Sequence, residues 1–175
     1  MLATKERSYY QSVCDISKAQ VRAQFTAGNT FSPPPPFSSP EPCSLLKKVH
    51  YSFDMAQQVH YPANPLQPGP IYFLTPRKCA LFGVCCEALP RQITYLIDEA
   101  SDTGKGANSI ASFLHHFFKV HGLGECEVHL HADNCVGQNK NNTVMQYLMW
   151  RTMVGLHKKI ALSFLIVGHT KFSPD

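Results

Sequence analysis

Between Lys47 and Gly168 the hydrophobic period switches between two and three-to-four in one order, which restricts the chain to a sheet with helices laid on it. The stretch 47–55, KKVHYSFDM, alternates apolar and polar residues and predicts a strand. CALFGVCCEAL and RQITYLIDEA predict two more, the second alternating at Ile93, Tyr95 and Ile97. Ala88-Leu89-Pro90-Arg91 suits the turn between them, which makes the pair an antiparallel hairpin. After the turn-rich SDTGKGANS, Asn108 or Ser109 is placed to cap a helix over 109–122. Its Ile110, Phe113, Leu114, Phe117 and Phe118 share one face, and Gly122 is a fitting stop. ECEVHLHAD then predicts a strand, NTVMQYLMWRTMVG a second helix and KKIALSFLIVG a long apolar strand.

Three strands followed by helix, strand, helix, strand predict an α/β mixed sheet, a three-stranded antiparallel meander plus two parallel strands. The right-handed crossover rule sets the strand at 126–133 parallel to the strand at 47–55. Two further zones precede this domain of residues 47–175. Residues 1–25 predict an amphipathic helix, with Tyr9, Val13, Ile16 and Ala19 or Gln20 along its apolar stripe. Residues 26–46 form a Pro/Ser-rich linker whose four consecutive prolines favour an extended segment, read first as a spacer and second as a docking ligand for a protein partner.

With 44% hydrophobic and 16% charged residues the chain has a globular balance. Its formal charge of +4 permits a nucleic-acid partner without arguing for one. No two of the seven Cys stand at Cys-x-x-Cys spacing, so a structural zinc site has little support. The first residues lack the apolar run of a signal peptide, and no stretch reaches the length of a membrane span. The expected setting is intracellular, nuclear or cytoplasmic, with reduced thiols and no membrane.

Asp54 stands near the end of the first core strand and Asp133 at the end of the fourth. As parallel neighbours, they emerge at one carboxyl edge of the sheet, where open α/β sheets bind ligands. Two carboxylates in one place repel unless a cation joins them, and Mg2+ or Mn2+ suits such oxygen ligands. Paired metals serve phosphodiester chemistry. Asp175 is expected at the same edge as a third carboxylate. The run 133–142, DNCVGQNKNN, leads into a helix, whose first N–H groups favour phosphate. Its Asn134, Gln138, Asn139 and Lys140 are expected to orient phosphate or metal-bound water. His169 joins them as a substrate contact, a general base or a turn residue, and Glu99 at the end of the third strand is read first as a solvated carboxylate of an edge position and second as a further member of the site. His129, His131 and Asp133 alternate on one strand face, a spacing a transition metal can use; a helix over that face favours buried, hydrogen-bonded histidines instead.

Phe53-Asp54-Met55-Ala56-Gln57, Asp98-Glu99, the DNCVGQNKN run from Asp133, Gly168-His169-Thr170 and Asp175 together resemble an uncharacterised eukaryotic domain family, ribonuclease-H-like in fold and related to mobile elements. The resemblance covers residues 47–175, and more weakly the Glu6-Arg7-x-x-Tyr10 helix, and implies an acidic set at Asp54, Asp133 and Asp175. It also implies that the chain stops where the third acidic position is reached, short of a final helix. The function expected from it is a divalent-metal-dependent nuclease or transposase-like domain. The alternative is a non-catalytic nucleic-acid-binding or protein-interaction module derived from a mobile element.

Overall fold

The computed structural model describes residues 2–26, 39–61, 74–89, 91–101 and 104–165. The proline run, the loop after Tyr61, His169 and Asp175 lie outside them. In chain order the elements are α1 (Leu2–Thr26), β1 (Leu45–Tyr61), β2 (Arg77–Cys86), β3 (Arg91–Asp98), a short 3-10 turn (Glu99–Ser101), α2 (Ala107–Val120), β4 (Glu125–Ala132), α3 (Asn142–Met153) and β5 (Lys159–Phe164).

The five strands form one mixed sheet in the order β3-β2-β1-β4-β5. β1, β2 and β3 pair antiparallel; β4 runs parallel to β1, and β5 parallel to β4. Alternation gives the sheet two different faces. One presents Val49, Tyr51, Phe53, Phe82, Val84, Val128 and Leu130, and against it pack Ile110, Leu114, Phe117 and Phe118 of α2 and Val144 and Leu148 of α3. The other face, carrying His50, Ser52, His129 and His131, is covered by α1 through Tyr10, Cys14 and Ser17. Among the described residues no helix is long and apolar enough to cross a membrane.

Several local expectations shift. β1 is far longer than its alternating stretch and passes an irregularity between Ala56 and Val59. The α1 stripe is displaced: Tyr10, Cys14 and Ser17 are buried, whereas Tyr9 and Ile16 are exposed. The reason is the partner, because a polar sheet face selects a hydroxyl and a thiol over an aliphatic stripe. The N-cap of α2 is Gly106, without a side-chain cap, and Ser109 Oγ instead donates to the Gly104 carbonyl. The end of the linker packs: Ser39 Oγ donates to the Phe118 carbonyl and Leu45 N–H to that of Gly124.

Gly124 sits at φ +71°, and a Cβ there would stand 2.7 Å from the Glu41 carbonyl oxygen and closer still to Ser44 Oγ. Both the left-handed backbone and the crowding oppose a side chain, so Gly124→Ala is expected to cost about 2 kcal/mol. Urea unfolding of the variant checks this.

Candidate functional site

The parallel register of β1 and β4 decides where the acidic residues fall. His50 pairs with His129 and Ser52 with His131, the last pair of the register; two residues further along, Asp54 is still within β1 and Asp133 follows directly on the end of β4 at Ala132. By alternation along β1, Asp54 shares the face that carries His50 and Ser52. On the other side of β1, Asp54 is opposite Gly83, so no side chain of β2 stands beside it there. Asp54 is half-buried, and its Oδ1 accepts the Met55 N–H at 2.8 Å.

Asp133 organises the loop that follows it. Its Oδ1 accepts the Cys135 N–H at 3.0 Å and Asn139 Nδ2 at 2.6 Å. The Cys135 carbonyl in turn accepts the N–H groups of Gln138, Asn139 and Lys140, which curls the chain into a tight turn. Asn141 then caps α3, its side chain accepting the Val144 N–H. Asn139 is completely buried. The carboxylate beside it fixes which end of its amide faces Asp133, because only the NH2 can donate. Asn139 Oδ1 and Asn134 Oδ1 are buried without a hydrogen-bond partner among the described residues. Lys140 is exposed, with its Nζ 5.6 Å from the centre of the Phe164 ring at the end of β5. Gln138 is half-buried, and its carbonyl accepts Asn141 Nδ2.

Glu99 is placed elsewhere. It is exposed, and its Oε2 accepts the Lys78 N–H at the start of β2. Its neighbour Asp98 is held down to about 2 by the Arg77 guanidinium, the Ala100 N–H and the Tyr61 hydroxyl. His169 and Asp175 lie outside the described residues. Among the described residues no three His, Cys, Asp or Glu side chains are grouped to hold one metal ion.

The histidines are buried and hydrogen-bonded, as the helix-covered reading expects. His50 Nε2 and His131 Nδ1 are 2.6 Å apart, His129 Nε2 meets Ser163 Oγ at 2.8 Å, and Cys14 Sγ lies 3.6 Å from His50 Nδ1. Burial holds all three rings neutral, with neighbouring His and Lys charges adding to it: His50 and His131 are pushed down to about 3 and His129 to about 4. Beside them Glu87, only 6% exposed, accepts the hydroxyls of Tyr10 and Ser52. Sequence reasoning missed His50, Glu87 and Cys14, and touched Tyr10 only through the weaker resemblance of the first helix. For His50 a signal existed, since His50-Ser52-Asp54 runs in step with His129-His131-Asp133; for Glu87 and the α1 residues no spacing marks the contact.

Fold and site together define an α/β domain with a mixed five-stranded sheet and a polar, carboxylate-bearing edge. The chain belongs to the family described as Domain of unknown function (DUF7869), which matches residues 76–173, more than half its length. The match includes the Asp133 loop and leaves Asp54 outside. No curated protein and no solved structure matches the chain.

Proposed function

We propose that the chain is a ribonuclease-H-like domain whose acidic centre, Asp54 with Asp133, takes a divalent cation, Mg2+ or Mn2+, and acts on nucleic-acid phosphodiesters. The observation that carries this reading is that Asp54, late in β1, and Asp133, directly after β4, lie two residues past the last pair of the parallel β1–β4 register in a β3-β2-β1-β4-β5 sheet. The strand order supports the ribonuclease-H-like assignment, and the edge is where open α/β sheets bind ligands.

The donors present fit a hard cation. Asp133 Oδ1 is occupied by two N–H donors, while its second oxygen takes no hydrogen bond among the described residues. Two buried amide oxygens on the same loop, Asn134 Oδ1 and Asn139 Oδ1, also lack partners there. Oxygen ligands of this kind suit Mg2+ or Mn2+. Such a cation, when bound, polarises a phosphoryl oxygen and acidifies a water. The residues of the chain do the rest: Asn139 orients Asp133, and Lys140 and Gln138 present a positive charge and an amide where α3 begins, a place that accepts phosphate. In this reading Asp175 completes the acidic set and His169 contacts substrate.

The test is a thermal melt with and without Mg2+ or Mn2+, paired with cleavage of labelled DNA and RNA. At saturating cation the wild type is expected to rise by about 5 °C, and Asp54→Asn and Asp133→Asn are each expected to lose both the rise and the cleavage. A melt indifferent to the cation overturns the reading; salt-sensitive nucleic-acid binding without cleavage moves it to a non-catalytic binding module.

A further inference from the structure

All seven cysteines are thiols, and two of them meet where the linker becomes β1. Cys126, second residue of β4 and only 3% exposed, donates its S–H to the Cys43 carbonyl at 3.2 Å. Cys43 is half-buried, and its own thiol donates to the Gly155 carbonyl at 3.7 Å, in the loop between α3 and β5. The two thiols are also hydrogen-bond partners of each other. A short turn brings them together. The Ser44 N–H closes it on the Glu41 carbonyl, and the Leu45 N–H fixes it to the Gly124 carbonyl just before β4. Within that turn Cys43 has φ +58° and is the only non-glycine among the described residues in the left-handed region. Such a backbone costs an L-residue, and Asn or Asp adopts it more readily than Cys. The turn therefore carries a thiol where its backbone favours other side chains. The remaining cysteines are placed differently: Cys14 lies against the His50 ring, and Cys85 and Cys86 alternate to opposite faces of β2.

We infer that Cys43 and Cys126 are a redox pair that closes to an intramolecular disulfide by exchange with a small-molecule disulfide. The half-buried Cys43 reacts first. Its thiolate attacks one sulfur of the small disulfide, whose S–S bond breaks and releases one thiol, leaving a mixed disulfide on Cys43. Cys126 then attacks the Cys43 sulfur from inside the fold and expels the second thiol. The protein gives up two electrons and two protons, and the small disulfide becomes two thiols. Partial burial and the Cys126 thiol hold the Cys43 thiol above its ordinary value, against the pull of Lys158. Exchange is therefore slow near neutral pH and quickens as pH rises. The bond joins residues 83 positions apart and so restricts the unfolded chain. It also clamps a weak point, because the parallel β1–β4 pair is irregular between Leu45 and Lys48, at its start. The oxidised form is the more stable one.

Peptide mapping of the full chain tests the pair. The folded protein is equilibrated in mixtures of reduced and oxidised glutathione, blocked by alkylation and digested. The expected product is a peptide pair joined through Cys43 and Cys126. Its formation raises Tm on the order of 8 °C above the reduced chain, and dithiothreitol reverses the rise. Cys43→Ser and Cys126→Ser are each expected to abolish both the joined peptide and the rise. The reduced wild type is the folded reference, so the outcome does not hang on how well either variant folds. Absence of the joined peptide in the oxidised wild type overturns the inference. So does a bond that joins other cysteines or two copies of the chain, or one that forms only in urea, because the two sulfurs are then out of reach in the native fold. A joined peptide without a rise in Tm overturns it as well, since the bond then strains the turn rather than clamping it.

Discussion

Acidification from about pH 7.5 to about pH 4.5, in buffer with a chelator, is expected to remove several kcal/mol of folding stability. The source is the trio His50, His129 and His131. In the folded chain they are neutral, with values of about 3, 4 and 3 set first by burial beneath α1 and then by neighbouring charges; unfolded, each returns to about 6.5. A depressed value means that the unfolded state binds more protons throughout the interval between the two. Stability is therefore complete above the unfolded value, falls as pH drops below it, and levels off near the folded values. The slope is at most about 1.4 kcal/mol per pH unit for each ring, and coupling among three rings in contact reduces it. Because a typical domain holds only about 5–15 kcal/mol, the expected loss is a large share. The groups facing the trio do not offset it: Glu87 raises the value of His131, but Lys48 lowers all three and Lys18 adds to the lowering of His50. α1 is expected to loosen first, since Tyr10 and Cys14 rest on these rings. Urea midpoints across the interval give the slope, and limited proteolysis reports the helix. His129→Gln, whose amide nitrogen can replace the bond to Ser163, is expected to flatten the profile by one ring's share. A stability that does not change between these pH values contradicts the buried, neutral trio.

The same trio shows how far the amino-acid pattern reached. The burial of His129 and His131 followed from alternation together with a helix expected over their shared face; His50 was not singled out. What covers that face was not legible, because α1 meets it through Tyr10, Cys14 and Ser17, a set with too little apolar character to stand out by period. α2 was plain for the opposite reason. Ile110, Leu114, Phe117 and Phe118 are all buried on the apolar face, as their spacing required. The parallel pairing of β1 with β4 was likewise accessible, since crossover handedness leaves few alternatives. Loop details were less so. A run rich in Asn signals capping and turns, but it does not say that Asn139 turns fully inward to hold Asp133 while Asn141 caps the helix. Nor does Glu99, at the end of an edge strand, announce that the Lys78 N–H will hold it.

Asp133→Ala is expected to cost about 3 kcal/mol, since it removes the acceptor of two N–H groups and leaves the Asn139 amide buried with nothing to donate to. The same substitution is expected to abolish the response to Mg2+ or Mn2+, and these two losses have different origins that further variants separate. Asp133→Asn keeps a carbonyl oxygen where Oδ1 stands, so both hydrogen bonds can persist and the stability cost falls to about 1 kcal/mol. It nevertheless discards the charge, so the cation response still disappears. Asn139→Leu does the reverse. It keeps the carboxylate but removes the donor that orients it and an amide oxygen from the loop, so it is expected to weaken the cation response about tenfold while costing about 2 kcal/mol of stability. Urea unfolding and cation titration on the three variants give two orderings. Stability tracks the hydrogen bonds, Asn above Leu above Ala at their respective positions; cation response tracks the charge, present in Asn139→Leu and absent in both Asp133 variants. Should Asp133→Asn retain the full cation-induced rise in Tm, Asp133 is a turn-forming residue and the cation, if any, is bound elsewhere. Should Asn139→Leu leave the response untouched, the buried amide serves the loop alone, and the two carboxylates of Asp133 and Asp54 are sufficient to hold the ion.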